Sequence, residues 1–177
     1  MHSWRILLLP YLDQQALYEQ YDFSKSWDSP ENLRLAKQMP AVYSFHGSYE
    51  AGKTVTTNYL AVTDENSSWP LASASGEDLE PFTEEVPGVL VAENQGAAVH
   101  WMEPRDFLVE DMKLEINAPE GISSKYDQPA VLLSDGTLRR LNAEVGPSEL
   151  MNLLKGYGDK QSWAPLEDGR DRPEAKK

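Results

Sequence analysis

The segment from Gly47 to Thr54 reads Gly-Ser-Tyr-Glu-Ala-Gly-Lys-Thr and matches the G-x-x-x-x-G-K-[ST] pattern of phosphate-binding loops. Such a loop holds phosphates with backbone N–H groups and with the N-terminus of a helix that Lys and Thr begin. Here the next residues are Val55-Thr56-Thr57, a β-branched run that favours a strand. Glu50 would also place a carboxylate among the phosphates. The pattern therefore predicts a loop between strands, with a nucleotide-binding enzyme acting through Lys53 and Thr54 as an alternative.

The other side chains that could take part in catalysis or metal binding do not form a complete motif. Ser44 and His46 place a hydroxyl near an imidazole, but the G-x-S-x-G pattern of many hydrolases is missing. The three histidines, which are His2, His46 and His100, lack the spacing of a metal-binding set. We expect no catalytic residue, no enzymatic activity and no cofactor apart from the calcium considered below, with hydrolysis through Ser44 and His46 as a second enzymatic alternative.

Calcium is a metal ion that the sequence leaves open. Asp64, Glu65 and Asn66 are candidate ligands because calcium prefers oxygen atoms carried on loops, although the full D-x-[DN]-x-[DN]-G pattern is missing. An exposed acidic turn is the alternative interpretation of the same three residues.

Tryptophans suggest a second class of function. Trp27, Trp69 and Trp101 lie next to residues that are common in turns, and exposed indole rings stack on sugars or on partner proteins. A solute- or glycan-binding module would line a concave pocket with some of these rings. Burial of the rings would count against that hypothesis.

The elements that must position these residues are short. The first 22 residues predict a helix with Trp4, Leu8, Tyr11 and Leu12 on one apolar stripe, kinked or restarted at Pro10. A second helix is predicted from Ser29 as its N-cap and Pro30 as its first residue. Leu33 and Ala36 form its apolar side, and Pro40 ends it.

After Pro40 the sequence changes from a helical pattern of apolar residues to short runs that are typical of strands. Asp135-Gly136 predicts the tight turn of a hairpin from Ala130 to Asn142, and Ser148 to Lys155 predicts a helix that Gly156 ends. Because helices flank a run of strands without regular alternation, we expect an α+β fold with a mainly antiparallel sheet. The other predicted strands are Ala41 to Phe45, Thr56 to Val62, Val89 to Ala92 and Val99 to Met102.

The composition of the chain argues against nucleic acid and membrane lipid as partners. The chain has 177 residues, with 16 basic against 29 acidic residues and a net charge of −13, which repels nucleic acid and anionic lipid headgroups. It has no cysteine and no apolar run near the ~18 residues of a membrane span. We expect a single domain over residues 1–163, a disordered charged tail over 164–177, and no membrane contact by this segment itself.

Four blocks resemble a planctomycete-type family of domains of unknown function that is related to the major pseudopilins of type II secretion. The blocks run from Ser3 to Tyr18, Trp27 to Asn32, Thr57 to Thr63 and Val99 to Asp106. The Asp135-Gly136 hairpin is similar to the family's closing signature, a His followed by nine residues and Asp-Gly, although Lys125 occupies the His position. The residues that match the family motif are Trp4, Pro10, Tyr11, Gln14, Gln15, Trp27, Asn58, Tyr59, Trp101, Pro104, Asp135 and Gly136.

The resemblance implies a pilin-like fold in which N-terminal helices pack on an antiparallel sheet with long loops. It also implies a non-catalytic, extracytoplasmic structural role, with protein partners in a secretion or surface assembly. Proteins of this type carry an apolar anchor helix before the domain, whereas this sequence starts at Met1 within the domain. We therefore expect an anchor that has been removed or that this member lacks.

Overall fold

The fold is described by a computed structural model for residues 1–44, 50–64, 69–70, 87–156 and 163–164. The helices are α1 (Trp4–Leu7), α2 (Gln15–Tyr18), α3 (Pro30–Leu33) and α4 (Pro147–Leu154), with 3-10 helices at Leu9–Leu12, Ala36–Gln38, Ala41–Tyr43 and Val109–Asp111. The strands are β1 (Thr56–Thr57), β2 (Tyr59–Asp64), β3 (Trp69–Pro70), β4 (Val89–Glu93), β5 (Val99–His100), β6 (Phe107–Leu108), β7 (Ala130–Leu133), β8 (Leu138–Leu141) and β9 (Trp163–Ala164). The predicted α+β class is confirmed.

The chain divides into two compact units. The first, here called the N-terminal unit, comprises residues 1–58 and 97–105; the second, the sheet unit, comprises residues 59–96 and 106–177. Each has a core of its own. The interpretation of residues 1–163 as one domain stays a prediction, and residues 165–177 of the predicted tail lie outside the described residues.

The N-terminal unit is built around aromatic and aliphatic side chains from both of its segments. The antiparallel pair of β1 and β5 brings Thr56 opposite His100, and the next amide, that of Trp101, donates to the carbonyl of Val55 at 3.0 Å. Residues 97–105 thereby deliver Trp101 into the core. The buried members of this core are Ile6, Leu9, Leu17, Tyr21, Leu35, Met39, Tyr43, Trp101 and Met102.

The prediction of one helix over the first 22 residues is wrong. The chain forms α1, then a 3-10 turn with Pro10 near its start, and then α2. Asp13 separates the last two with a φ of 57°, a left-handed conformation that no helix continues through. The expected apolar stripe is therefore broken, and Tyr11 points outward.

Two further expectations for this unit need correction. Helix α3 begins at Pro30 after Ser29, as predicted, but it is one turn long, and Leu33 is 42% exposed whereas Asn32 is buried. The segment from Ala41 is a 3-10 turn rather than a strand, because Ser44 N–H donates back to the Ala41 carbonyl at 3.0 Å. That turn directs Tyr43 into the core.

The sheet unit holds a mixed sheet. Its strands lie in the order β3-β2-β4-β7-β8-β9, and β6 pairs with β2. The pairs from β2–β4 to β8–β9 are antiparallel, whereas β2 runs parallel to both β3 and β6. Helix α4 contributes to the core of this unit through Leu150, Leu153 and Leu154, which pack with Val62, Val89, Ala92, Val131, Leu133 and Leu141 from the strands.

The C-terminal hairpin and helix are confirmed. Gly136 takes a φ of 81°, and its N–H donates to the Leu133 carbonyl at 2.9 Å, which closes the turn between β7 and β8. Hydrogen bonds from the Thr137 side chain and backbone lower the pKa of the Asp135 carboxyl. Helix α4 ends before Gly156, whose φ is 77°.

Candidate functional site

The residues of the phosphate-loop pattern that the structure describes, Glu50 to Thr54, form a turn that is bound to itself. The Lys53 ammonium lies 2.8 Å from the Glu50 carboxylate, and the Thr54 hydroxyl accepts a hydrogen bond from the Glu50 N–H at 2.7 Å. Strand β1 follows instead of a helix, as predicted. Residues 45–49 lie outside the described residues. Lys53 and Thr54 are thus engaged with Glu50, and the helix N-terminus that a phosphate would need does not follow Thr54.

The other polar candidates are dispersed. Asp64 ends β2, while Glu65, Asn66 and His46 lie outside the described residues. The His2 ring contacts the Tyr21 hydroxyl and the Phe23 carbonyl, each at 3.0 Å. Among the residues described, no three histidine or acidic side chains are placed to hold a metal ion.

Two of the three tryptophans of the pocket hypothesis lie in the N-terminal unit. Trp101 is 0% exposed, and its indole N–H donates to the Ala36 carbonyl at 2.9 Å. Trp27 is half-buried against the His100 ring, with ring centroids 5.3 Å apart. The Trp101 ring fills the core, which counts against its part in a binding pocket. An open depression of about 540 Å³ exists instead in the sheet unit, lined by Lys113, Leu114, Glu115, Ile116, Ala143, Glu144, Val145 and Pro147.

A buried arginine organises the start of the N-terminal unit. The Arg5 guanidinium donates to the Ser3 hydroxyl at 3.1 Å and lies 4.5 Å from the centroid of the Trp4 ring. It also donates to the Glu103 carbonyl at 3.4 Å, and the Tyr43 hydroxyl donates to the Arg5 carbonyl at 2.7 Å. Burial raises the pKa of Tyr43 well above its usual range. These contacts fix the backbone on which the next residues are displayed.

Asn32 has a similar role that the sequence analysis missed. Its amide donates to the carbonyls of Asp22 and Ser26 and accepts from the Asp22 N–H, at distances between 2.9 and 3.0 Å. The hydroxyl of Ser29, the predicted N-cap, accepts from the Asn32 N–H at 3.2 Å. The sequence indicated only the helix start at Ser29. It gave no sign of the partners of the Asn32 side chain, which are residues outside the helix.

An exposed apolar surface stands on this framework. Leu7 is 50% exposed, Leu8 38% and Tyr11 83%, and no charged residue occurs from Ile6 to Leu12. The Tyr11 N–H donates to the Leu8 carbonyl at 3.0 Å, and side chains three residues apart eclipse in a 3-10 turn. Leu8 and Tyr11 therefore share one face, and the exposed Leu7 precedes Leu8 in the chain. We call these three side chains the N-terminal apolar surface.

The remaining residues of the family motif belong to the framework beneath the N-terminal apolar surface or lie beside that surface. Gln15 is exposed and donates to the Glu19 carboxylate at 2.8 Å, while Gln14 and Pro104 are half-buried and Asn58 is buried. The N-terminal unit collects nine of the twelve motif residues, whereas the sheet unit holds Tyr59, Asp135 and Gly136. Of the nine, Tyr11 is the large side chain that faces solvent.

Comparison with known families gives a match over the first half of the chain. Residues 1–88 match the family model described as SBP_bac_10, Protein of unknown function (DUF1559). Over that segment the chain is similar to this family. No curated protein and no solved structure matches the chain. The matched segment includes the residues of the N-terminal apolar surface.

The hydropathy of the helices bears on membrane insertion. Within the described ranges, no helix combines the length and the apolar character that a membrane crossing requires.

Proposed function

We propose that the chain is a non-catalytic, extracytoplasmic structural domain of pilin or pseudopilin type that docks onto other proteins in a secretion or surface assembly. The observation that carries the proposal is the N-terminal apolar surface of Leu7, Leu8 and Tyr11. Interfaces between proteins are enriched in tyrosine and depleted of charge at their centres. An uncharged apolar face on a chain of which 25% is charged fits that description.

The surface is held in place before any partner arrives. Ile6 and Leu9, which alternate with the exposed residues, are 0% exposed, and the Leu8 N–H donates to the Trp4 carbonyl at 3.0 Å. A side chain on a fixed backbone loses less conformational entropy on binding than one on a mobile loop. This anchoring of the backbone supports a docking role.

The pilin-like part of the proposal is supported by the order of elements and by the family match. Short helices precede a mainly antiparallel sheet, as the resemblance implies, and residues 1–88 match a family of domains of unknown function. The extracytoplasmic location follows from the resemblance alone. The glycan-binding alternative receives less support, since Trp101 is buried.

The proposal is tested in cells that make the full-length protein with the photo-crosslinker p-benzoylphenylalanine in place of Tyr11. The matched control carries the same group in place of Leu138, which is 60% exposed and lies in the sheet unit. We expect irradiation to give a protein adduct from position 11 and none from position 138, and external protease to digest the domain in cells whose outer barrier is opened. Equal adducts at both positions, no adduct at position 11, or protection inside the cytoplasm would contradict the proposal.

A further inference from the structure

An open depression of about 540 Å³ lies in the sheet unit. Its floor is apolar, because Leu114, Ile116 and Val145 line it, are half-buried and pack against the core of the unit. Glu115 and Glu144 line it as well, and both are exposed. The depression therefore offers an apolar seat for one large side chain, with carboxylates beside it.

The loop of residues 113–121, which forms one wall of the depression, is fixed by hydrogen bonds. The Lys113 N–H donates to the Glu120 carbonyl at 3.1 Å. The side-chain amide of the buried Asn94 donates to the carbonyls of Pro119 and Gly121, each at 2.7 Å. A wall that is held in this way loses little conformational entropy when a partner binds.

The surroundings of the depression are acidic. Residues 110–120 and 142–149, which contain its lining, hold six acidic residues and one basic residue. The sheet unit as a whole contains ten basic and 22 acidic residues, a net charge of −12. The partial positive charge at the start of α4, about half a unit, does not offset these carboxylates. Such a field attracts a cationic partner and repels an acidic one, a second copy of this chain included.

The open shape of the depression selects a peptide among cationic partners. A small-molecule site buries most of the surface of its ligand, which an open depression does not do. A peptide can place one aliphatic side chain on the apolar floor while its basic side chains stay in water beside the carboxylates. The C-terminal segment of this chain suits the site less well, because residues 165–177 hold four basic and four acidic residues and have no net charge.

We propose that this depression binds a basic segment of another protein, in which one leucine-like side chain is flanked by lysine or arginine. The aliphatic side chain lies on Leu114, Ile116 and Val145, and the basic side chains pair with Glu115 and Glu144. The site belongs to a different unit from the N-terminal apolar surface, and it goes beyond the docking function proposed for that surface.

The test is fluorescence anisotropy of the purified full-length chain with a labelled synthetic peptide that has a central leucine flanked by lysines. We expect binding that weakens as sodium chloride rises from ~0.05 M to ~0.5 M, because salt screens exposed charge pairs. A peptide with serine in place of the leucine should bind at least about tenfold more weakly. A peptide with glutamates in place of the lysines should not bind.

Variants of the chain test the floor and the carboxylates separately. Ala143→Phe fills the depression from an exposed position and Glu144→Lys reverses a charge, and each should lower the affinity at least about tenfold. Lys113→Gln should raise the affinity, because it frees the Glu115 carboxylate, which lies 3.5 Å from the Lys113 ammonium. Damage to the fold would not give such a gain. The matched control, Glu19→Lys, makes the same change of charge in the N-terminal unit and should keep the affinity within about twofold.

Circular dichroism establishes that each variant is folded, and Glu144→Lys carries the test if Ala143→Phe is not. Equal binding of the leucine and serine peptides, unchanged affinity of Glu144→Lys, or an equal loss in Glu19→Lys would overturn the proposal. Displacement of the peptide by n-butylamine at an equal concentration would also overturn it, because the site would then take a small amine.

The photo-crosslinker p-benzoylphenylalanine in place of Ala143 identifies other occupants when no peptide is added. An adduct within one chain to residues 165–177, or an adduct between two copies, would replace the proposed partner and overturn the proposal. Tyr11→Ser should leave the peptide affinity unchanged, so the failure of this site and the failure of the docking function proposed for the N-terminal apolar surface are separate results.

Discussion

Replacement of Asn32 by aspartate is the sharpest test of the framework beneath the N-terminal apolar surface. The Asn32 amide nitrogen faces two backbone carbonyls, those of Asp22 at 3.0 Å and Ser26 at 2.9 Å, and its oxygen accepts from the Asp22 N–H at 2.9 Å. Aspartate has almost the same shape but replaces the donating NH₂ by an oxygen. Two favourable contacts therefore become two contacts between acceptors.

The expected magnitude follows from these three hydrogen bonds. A buried polar group that loses a hydrogen bond costs about 1–3 kcal/mol. Here two carbonyls each lose one of their two donors, and each keeps a backbone N–H, that of Lys25 or of Ser29, at 3.2 Å. Asn32 is 0% exposed, so a carboxylate at this position also pays for its own desolvation. We expect Asn32→Asp to reduce the free energy of unfolding by about 3 kcal/mol or more at neutral pH.

The loss should depend on pH with a definite sign. Burial and the facing carbonyls raise the folded-state pKa of the new carboxyl above its unfolded value, because only the protonated acid can donate. The difference from the parent is then smallest below the unfolded pKa of about 3.9 and grows as pH rises through the folded pKa. An exposed Asn to Asp change has no such dependence.

The assay is urea unfolding followed by tryptophan fluorescence at several pH values, with Asn152→Asp on the exposed side of α4 as the matched control. The control should stay within about 0.5 kcal/mol of the parent. If Asn32→Asp also stays within that range at neutral pH, or if its deficit shrinks as pH rises, the hydrogen-bond assignment to Asn32 is wrong.

Three further outcomes follow from other parts of the fold. Gly121→Ala should cost about 2 kcal/mol or more in urea unfolding, because a Cβ there would lie 2.3 Å from the Lys113 carbonyl oxygen, whereas Gly96→Ala, with its nearest contact at 3.6 Å, should be nearly neutral. Gly146→Ser should raise the melting temperature slightly by providing the side-chain cap that α4 lacks, a gain of roughly a few tenths of a kcal/mol, and a lower melting temperature would contradict that. Burial lowers the pKa of His100 against the opposing effect of Glu103, so stability should fall as pH drops below about 6.5, and His100→Gln should flatten that part of the stability profile.

The parts of the fold that local sequence predicts are those whose signals are local. The Asp135-Gly136 turn, the start of α3 after Ser29 and the end of α4 before Gly156 each depend on residues within a few positions. The prediction of one N-terminal helix was wrong because a 3-10 turn and a left-handed Asp13 leave little trace in the pattern of apolar residues. With this local change of backbone, Tyr11 lies at the surface and not on the expected apolar stripe.

Partners far apart in the chain could not be read from the sequence. Arg5 meets the Glu103 carbonyl 98 residues away, and Trp101 meets that of Ala36 across 65 residues. A buried arginine and an indole at these positions look like surface residues until their partners are known. For the same reason, the sequence identified Tyr11 as a motif residue and did not distinguish it from the framework residues Trp4 and Trp101.

The split path of the N-terminal unit has a consequence for how the chain is made. Its first 58 residues lack Trp101 and Met102, which arrive only with residues 97–105. At a synthesis rate of about 5–20 residues per second, the ribosome takes several seconds to add them. During that interval the unfinished core exposes apolar surface to the cytosol, so a nascent chain of this length is a natural client for a holding chaperone. Recombinant fragments that stop at residue 88 would remain in that state permanently.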